Sequence, residues 1–185
     1  MLQAASSRGA KVVELEGFDE SFDIFFERTA ASVACTPEKD AAFLRWRYGP
    51  GSPQHPVTVL AAREKNELLG YAVLRVTRES MRGFREAFIL DLSVLPERPE
   101  ASRALLAAAV GRFREAGVPM VRYRYSSSPT SPTVADLARL GFFHRRGRSN
   151  SLLVGLADER HQQLARDLDN WSYNLGDGEA TFWVP

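Results

Sequence analysis

The chain has 185 residues, of which 44% are hydrophobic and 25% are charged, and its formal net charge is +1 at pH 7. This composition is typical of one globular domain of ordinary size and excludes a wholly disordered chain. The balanced charge gives no general attraction to nucleic acid, so we expect no nucleic-acid partner. No apolar run approaches the ~20 residues that cross a bilayer, and we expect no membrane partner either.

A single cysteine, Cys35, excludes an intrachain disulfide and gives no support to an oxidising compartment. The three histidines do not have the spacing of zinc ligands, and we predict no metal site. The N-terminus lacks the continuous apolar stretch of a signal peptide, which favours a cytoplasmic protein. Residues 1–10 are predicted to be an unstructured lead, and residues 11–185 a single domain.

The first quarter of the chain predicts one short strand and two helices. Val12–Leu15 is short and apolar, as a first strand is. Aromatic residues recur at spacings of three and four within Phe18–Ala34, which predicts an amphipathic helix. Thr36 followed by Pro37 predicts the start of a second helix with Thr36 as its N-cap. This helix is expected to end at Tyr48, before a dense cluster of glycine and proline.

Three strands are predicted next. Val57–Arg63 and Leu68–Arg78 flank a short polar turn, which predicts an antiparallel hairpin. The third strand, Ala87–Val94, is an apolar run that contains one carboxylate, Asp91. An acid inside such a run is unusual. It is either a general base or a structural ion-pair partner of an arginine.

The turn after the third strand leads directly into an alanine-rich helix. Pro99 stands at its first position, where proline is favoured, and Gly117 marks its end. The free N–H groups and the positive dipole end of such a helix bind phosphate well. Arg98 and Arg103 add positive charge at the same place. The alternative interpretation is an ordinary strand-to-helix connection, which is common.

The rest of the chain predicts further alternation of strands and helices. In chain order these are a strand at Met120–Tyr125, a serine- and proline-rich loop at Ser126–Pro132, a short helix at Thr133–Leu140, a hairpin of Phe142–Arg145 with Leu152–Leu156, and a polar helix after Asp158. A hairpin-led sheet followed by a crossover helix predicts a mixed α/β fold of the α+β class.

This order resembles the GNAT superfamily of acyl-CoA N-acyltransferases over roughly residues 12–156. The run LSVLPERPEASRALL is similar to the family's strand, proline and pyrophosphate-binding turn. Gly141-Phe142 resembles the family's entry to the next strand, and Leu69-Gly70-Tyr71 resembles a strand start. Phe43–Tyr48 and Gly176-Asp177 resemble a subgroup linked to polysaccharide or cell-envelope biosynthesis, whose members often contain two such halves. The resemblance implies a central mixed, mostly antiparallel sheet flanked by helices.

The resemblance also implies a reaction and a set of site residues. Acetyl-CoA or another acyl-CoA donates an acyl group directly to a small-molecule amine, without an acyl-enzyme. The residues expected to bind the cofactor are Leu92, Ser93, Val94, Arg98, Ala101, Ser102 and Arg103. Asp91 is the expected base and Tyr125 the expected acid, with Tyr123 as its neighbour on the same face. The residues expected near the acceptor are Trp46, Tyr48 and Ser127.

Two features depart from the family pattern. Ala101 and Arg103 stand where glycine-like residues are usual, and Leu137 stands where many members carry a tyrosine. These departures favour an alternative function, a non-catalytic GNAT-fold domain that serves as a binding or scaffold half or as a dimerisation module. Such a domain pairs with itself as a homodimer or with a second GNAT-like half. A third interpretation, an aminoacyl-tRNA-dependent transferase, is disfavoured by the near-zero net charge.

Overall fold

The computed structural model describes residues 10–77, 83–145 and 153–178. Its strands are β1 (Lys11–Leu15), β2 (Thr58–Glu64), β3 (Glu67–Val76), β4 (Glu86–Val94) and β5 (Met120–Tyr123). Its α-helices are α1 (Ser21–Ala30), α2 (Ala41–Tyr48), α3 (Pro99–Glu115), α4 (Val134–Arg139) and α5 (Glu159–Arg166). Two short 3-10 helices follow at Leu168–Asn170 and Leu175–Asp177.

The five strands form one sheet in the order β1-β2-β3-β4-β5. Strands β1 to β4 are antiparallel neighbours, and β5 lies parallel to β4. Helix α3 connects β4 to β5, because parallel neighbours need a crossover connection rather than a tight turn. The predicted α+β class, with a mostly antiparallel sheet flanked by helices, is therefore confirmed.

Helices cover both faces of the sheet. On one face, Phe22 and Phe25 of α1 pack on Tyr71 of β3, with ring centroids 5.4 and 5.6 Å apart from that of Tyr71. Helix α3 packs against β1 to β4 and buries Leu105 and Leu106. Every residue of β4 is buried, so this strand runs through the centre of the core.

The start of α2 differs from the prediction that placed the N-cap at Thr36. The N-cap is Asp40, whose side chain accepts a hydrogen bond from the N–H of Phe43 at 2.6 Å. The preceding segment stays extended, because Lys39 is buried and turns inward instead of entering a first helical turn. The prediction of a helix beginning at Thr36 was wrong, although its end at Tyr48 is confirmed.

The predicted hairpin near the C-terminus is also wrong within the described residues. Residues 142–145 and 153–156 have no strand assignment, and the predicted turn between them lies outside the described residues. Phe143 and Leu153 are 88% and 94% exposed. A strand needs a packed face to be stable, and these side chains bury almost none of their surface.

Several other predictions concern residues at the ends of the described ranges or outside them. Of the predicted lead, residues 1–9 lie outside the described residues, and Ala10 is buried in the core. The end of the predicted strand at Arg78 and the final Phe182-Trp183 also lie outside them. The polar helix after Asp158 is confirmed as α5, with Asp158 as its N-cap. No helix in the described part of the chain is both long and apolar enough to cross a membrane.

Candidate active site at the gap between two strands

The central strand β4 loses one neighbour halfway along its length. It pairs with β5 only from Glu86 to Ile89, whereas its pairing with β3 continues to Val94. Among the described residues, one edge of Leu90–Val94 therefore has no strand partner, and we call this opening the gap. Buried backbone N–H and C=O groups need partners, so a strand edge left open inside a protein is a place where another extended chain binds.

Asp91 lies at the mouth of the gap, two residues after the last pair with β5. Its side chain is fully buried, and both carboxylate oxygens accept from the Lys39 ammonium at 3.0 and 3.1 Å. The same ammonium lies 2.9 Å from Oδ2 of Asp177. The Tyr48 hydroxyl donates to Asp91 at 3.5 Å. Two buried carboxylates thus share one buried ammonium.

The buried charges of this cluster shift the pKa of the Asp91 carboxyl group toward neutral pH. Burial raises the pKa of Asp91 from its ordinary 3.8 to about 6, with Lys39 lowering and Asp177 raising it. Burial lowers the pKa of Lys39, but the two carboxylates outweigh burial and raise it overall. A carboxylate that gains and loses its proton near pH 6 is suited to general-base work.

Sequence reasoning found Asp91 but missed Lys39, which pairs with it, and Asp177, which shares the same ammonium. Lys39 stands three residues after Thr36, where a capping box would carry an acid, and Asp177 stands between two glycines, as a turn residue commonly does. The only signal for a partner was the general rule that a buried charge needs a counter-charge. The expected partner was an arginine, and the structure supplies a lysine instead.

Residues Trp171–Gly178, which we call the closing segment, lie in the gap. Asn174 Nδ2 donates to the Leu92 carbonyl at 3.3 Å. The neighbouring loop contributes as well, since the Val94 N–H donates to the Thr130 carbonyl at 3.0 Å. Two backbone groups on the open edge of β4, the Leu92 carbonyl and the Val94 N–H, are therefore bonded to the chain's own groups.

Helix α2 fastens the closing segment from the other side. Arg47 Nε donates to the Gly176 carbonyl and Nη2 to the Gly178 carbonyl, each at 2.7 Å. Only glycine fits at position 176, because a Cβ there would lie 1.8 Å from the Tyr48 hydroxyl oxygen and 3.0 Å from the Leu90 carbonyl oxygen. The close approach of the segment to β4 depends on this missing side chain.

A small cavity with both polar and apolar lining remains beside the gap, with a volume of about 10 Å³. It is lined by Phe25, Phe26, Thr29, Val33, Thr36, Lys39, Tyr71, Ser93, Thr130 and Ser172. This is about the space of a single water molecule. A thioester does not fit into the gap as the closing segment lies in this structure.

The predicted phosphate site at the start of α3 carries its own carboxylates. Arg98 donates to Glu100 at 2.6 Å and to Glu64 at 3.1 Å, and Arg103 lies 4.0 Å from Asp136. Burial raises the pKa of Glu100, but the Arg98 hydrogen bond and the helix N–H lower it below its usual value. The guanidinium groups that a phosphate would bind are therefore already paired with carboxylates of the chain.

The remaining cofactor candidates lie in the core. Leu92, Ser93, Val94, Ala101 and Ser102 are all buried. The Ser102 hydroxyl has no hydrogen-bond partner among the described residues, and Arg103 is exposed. The structure brings the three β4 residues to the gap together with Asp91, whereas the arginines lie beyond the end of β4 at the start of α3.

The acceptor candidates fall on different sides of α2. Tyr48 is buried against Asp91, whereas Trp46 is 67% exposed. Trp46 borders an open groove of about 240 Å³ lined by Arg45, Trp46, Arg47, Gly51, Ser52 and Pro53. Ser127 is exposed on the loop after β5.

The two tyrosines of the β5 region differ in burial. Tyr125 is 40% exposed, whereas the Tyr123 hydroxyl is buried with no hydrogen bond among the described residues. Burial, with a contribution from the charge of Asp91, raises the pKa of Tyr123 well above its usual range. Tyr123 therefore stays protonated at neutral pH. In the described part of the chain, no cluster of three or more His, Cys, Asp or Glu side chains is placed to hold a metal ion.

No protein-family model and no curated protein matches the sequence. Several solved structures match the fold. A probable acetyltransferase is 19% identical with a TM-score of 0.53, over 80% of this chain and 99% of that chain. An integron cassette protein from the V. cholerae mobile metagenome is 14% identical with a TM-score of 0.58, over 87% and 100%. An aminoglycoside acetyltransferase from an uncultured soil metagenomic sample is 18% identical with a TM-score of 0.53, over 80% and 96%. Identities this low show a shared fold alone.

Proposed function

Because the chain has the GNAT fold of these acetyltransferases, we propose that it is an acyl-CoA-dependent N-acyltransferase acting on a small amine. The observation that carries the proposal is the gap between β4 and β5, with a buried carboxylate at its mouth. The β4 edge at the gap has no partner strand among the described residues, which suits an extended amide-bearing ligand once the closing segment is displaced, and Asp91 offers a base beside it.

The cofactor proposal follows the two ends of this gap. The amides of an acyl-CoA pair with the β4 edge at Leu92, Ser93 and Val94, in the manner of an added strand. Its phosphates lie at the start of α3, among Arg98, Ala101, Ser102 and Arg103. A helix N-terminus and two guanidinium groups suit that charge. Acetyl-CoA is the simplest such donor, and a cytoplasmic setting goes with the lone cysteine.

The proposed chemistry needs one base and one acid. Asp91, directly or through a water, takes a proton from the amine as its nitrogen forms a bond to the acyl carbon. The carbon–sulfur bond breaks, and the departing thiolate takes a proton from Tyr125 or from its neighbour Tyr123. Lys39 holds Asp91 in place throughout, because its ammonium contacts both carboxylate oxygens.

The proposed acceptor binds beside Trp46 on the exposed side of α2, with Ser127 on the loop after β5 as a second candidate contact. Trp46 exposes its ring beside the 240 Å³ groove, and an exposed aromatic face binds cations and sugar-like rings. A small-molecule amine is favoured because an aminoglycoside acetyltransferase solved in complex with sisomicin has a similar fold, at 18% identity and a TM-score of 0.52, over 80% of this chain and 96% of that chain.

Thermal unfolding of the full chain with acetyl-CoA, CoA and a longer acyl-CoA tests this function. A ligand at about a hundred times its dissociation constant adds ~2.7 kcal/mol to the folded state and raises the midpoint visibly. Release of the CoA thiol in the presence of a panel of small amines then measures turnover. Asp91→Asn is expected to keep binding and lose turnover. Failure of every acyl-CoA to bind, even after the closing segment is loosened, would contradict the proposal.

One observation favours a second candidate, a non-catalytic GNAT-fold domain. Both the β4 edge and the start of α3 are already satisfied by groups of this chain. Such a domain serves as a scaffold half that pairs with itself or with a second GNAT-like half. Sedimentation of the full chain alone would show a homodimer, and a chain that binds no acyl-CoA in any variant would support this candidate.

A further inference from the structure

The closing segment occupies the same edge of β4 that the proposed function assigns to acyl-CoA. Its Asn174 amide donates to the Leu92 carbonyl, and its Ser172 hydroxyl lies 2.7 Å from that of Thr130, whose carbonyl accepts from Val94. A ligand that pairs with this edge needs the same backbone groups. The segment and the ligand therefore exclude each other.

The contacts that hold the segment are mainly polar and run along its length, from Ser172 and Tyr173 to Asp177. Asp177 contacts the Lys39 ammonium at 2.9 Å, and Arg47 holds the carbonyls of Gly176 and Gly178 at 2.7 Å. These contacts join the segment to the same cluster that contains Asp91. A closed segment thus fills the gap and adds a second carboxylate beside the proposed base.

The segment has little regular structure of its own. A single 3-10 turn and an isolated bridge between Cys35 and Trp171 are its regular elements. Segments with short regular structure open at a lower free energy than the packed strands of a core. The five-stranded sheet forms its pairs without the segment, so departure of the segment breaks none of the strand pairs from β1 to β5.

We propose that the closing segment is an autoinhibitory strap, which must leave the gap before acyl-CoA binds. This inference rests on the proposed function. Release of the strap exposes the Leu92 carbonyl to the cofactor and takes Asp177 away from Asp91, so that Lys39 pairs with Asp91 alone. Binding of the cofactor and departure of the strap are then coupled, because the cofactor binds only the state in which the strap has left.

The test compares a loosened strap with a locked strap by titration calorimetry with acetyl-CoA. Asp177→Asn removes the charge held by Lys39 and keeps an oxygen for the Asn174 N–H, which donates to Asp177 Oδ2 at 2.6 Å. The expected result is binding at least about tenfold tighter than that of the wild-type chain. Asp158→Asn, which removes an exposed N-cap carboxylate of α5, is the matched control and should bind as the wild type does.

The lock is Thr130→Cys with Ser172→Cys in a Cys35→Ser background. The two hydroxyl oxygens are 2.7 Å apart, so the two side chains point toward each other, which makes this pair the choice for an engineered disulfide. The oxidised lock should bind no acetyl-CoA, and reduction should restore binding. This arm uses a chain with the strap in place and does not depend on the folding of Asp177→Asn.

The outcomes separate the strap from the function. Equal binding by the wild type, Asp177→Asn and both redox states of the lock overturns the strap and leaves the proposed function standing. Absence of binding in every variant overturns the proposed function and the strap with it. Tighter binding on loosening, together with loss on locking, supports both.

Discussion

Between β1 and β4 the sheet is closed by backbone pairing and apolar packing, whereas beyond Ile89 the open edge of β4 is closed by polar side chains and ion pairs. In the first region, buried aliphatic and aromatic residues of neighbouring strands meet α1 and α3. In the second region, the contacts are polar. They come from the Lys39 ammonium, the carboxylates of Asp91 and Asp177, the Asn174 amide and the Arg47 guanidinium group.

The two regions differ in how far apart their partners lie in the chain. Strands β2, β3 and β4 are joined by short connections, and only β1 pairs across a long segment, with Lys11 and Arg63 52 residues apart. At the gap, Lys39 and Asp91 are 52 residues apart, Asn174 and Leu92 are 82 apart, and Arg47 and Gly176 are 129 apart. Apolar closure tolerates exchange of one residue for another, but closure by charge depends on each partner.

Loss of the shared ammonium should have the largest effect. Lys39→Met leaves Asp91 and Asp177 buried without a counter-charge, and we expect it to destabilise the fold by about 3–5 kcal/mol. Urea unfolding at pH 7 measures this change. Lys11→Met, on the exposed side of β1, is the control and should change stability by less than about 0.5 kcal/mol. A loss below 1 kcal/mol at position 39 would show that the cluster does not hold the gap.

The pH dependence of the cluster comes next. Because the folded pKa of Asp91 is about 6 and its ordinary value is 3.8, the folded chain binds this proton more tightly than the unfolded chain. Its contribution to stability is full below about pH 4 and is lost as pH rises through about 6, by an amount on the order of 1–3 kcal/mol.

Asp91→Asn isolates this contribution from the other acids. The stability of the variant relative to the wild type should rise between pH 4 and pH 6.5 and stay flat above that range. Chemical unfolding at several pH values, read at constant ionic strength, gives the difference. A difference that does not change across this window would argue against a raised pKa.

The close approach of the strap to α2 predicts a smaller effect. Gly176→Ala places a Cβ against the Tyr48 hydroxyl and should cost about 1–3 kcal/mol. Gly155→Ala, where a Cβ meets nothing within 4 Å, is the matched control. Adding Tyr48→Phe removes the clashing oxygen, so the double variant should recover part of the loss in a double-mutant cycle. No coupling between positions 48 and 176 would contradict the contact.

A substitution at the start of α3 should change the affinity for phosphate-bearing ligands rather than the stability of the fold. Glu100→Gln removes the carboxylate that holds Arg98 and sits at the helix N-terminus. We expect inorganic pyrophosphate and CoA to bind two- to fivefold more tightly, which corresponds to about 0.3–1 kcal/mol. Glu115→Gln, at the other end of α3, is the control. Equal affinities for both variants would remove this helix start from the proposed cofactor site.

The smallest effect on stability is expected at Trp46. Trp46→Ala removes a side chain that is 67% exposed and should change the free energy of unfolding by less than about 0.5 kcal/mol. If the groove takes the acceptor, the KM for the amine should rise while the affinity for acetyl-CoA stays the same. Ile24→Ala, at 63% exposure on α1, is the control for loss of an exposed apolar side chain.

Much of the first region could be predicted from local pattern. The hairpin predicted at Val57–Arg63 and Leu68–Arg78 is observed one or two residues away as β2 and β3. Helix α3 begins at Pro99 and is followed by Gly117 at a φ of +65°, as its stop signal requires. Periodicity and turn residues act over a few positions, which is why they are readable in a single sequence.

Sequence alone therefore determined the fold class, the order of the elements as far as α4, and the unusual acid in the central strand. Tertiary structure alone decided which lysine meets Asp91, that Asp40 and not Thr36 begins α2, and that residues 171–178 fill the gap. The physical reason is that a buried charge specifies only that a counter-charge is needed, and many residues qualify until the chain is folded. Local sequence pattern determines where the strands lie, whereas the tertiary structure determines which residues pair with the buried charges.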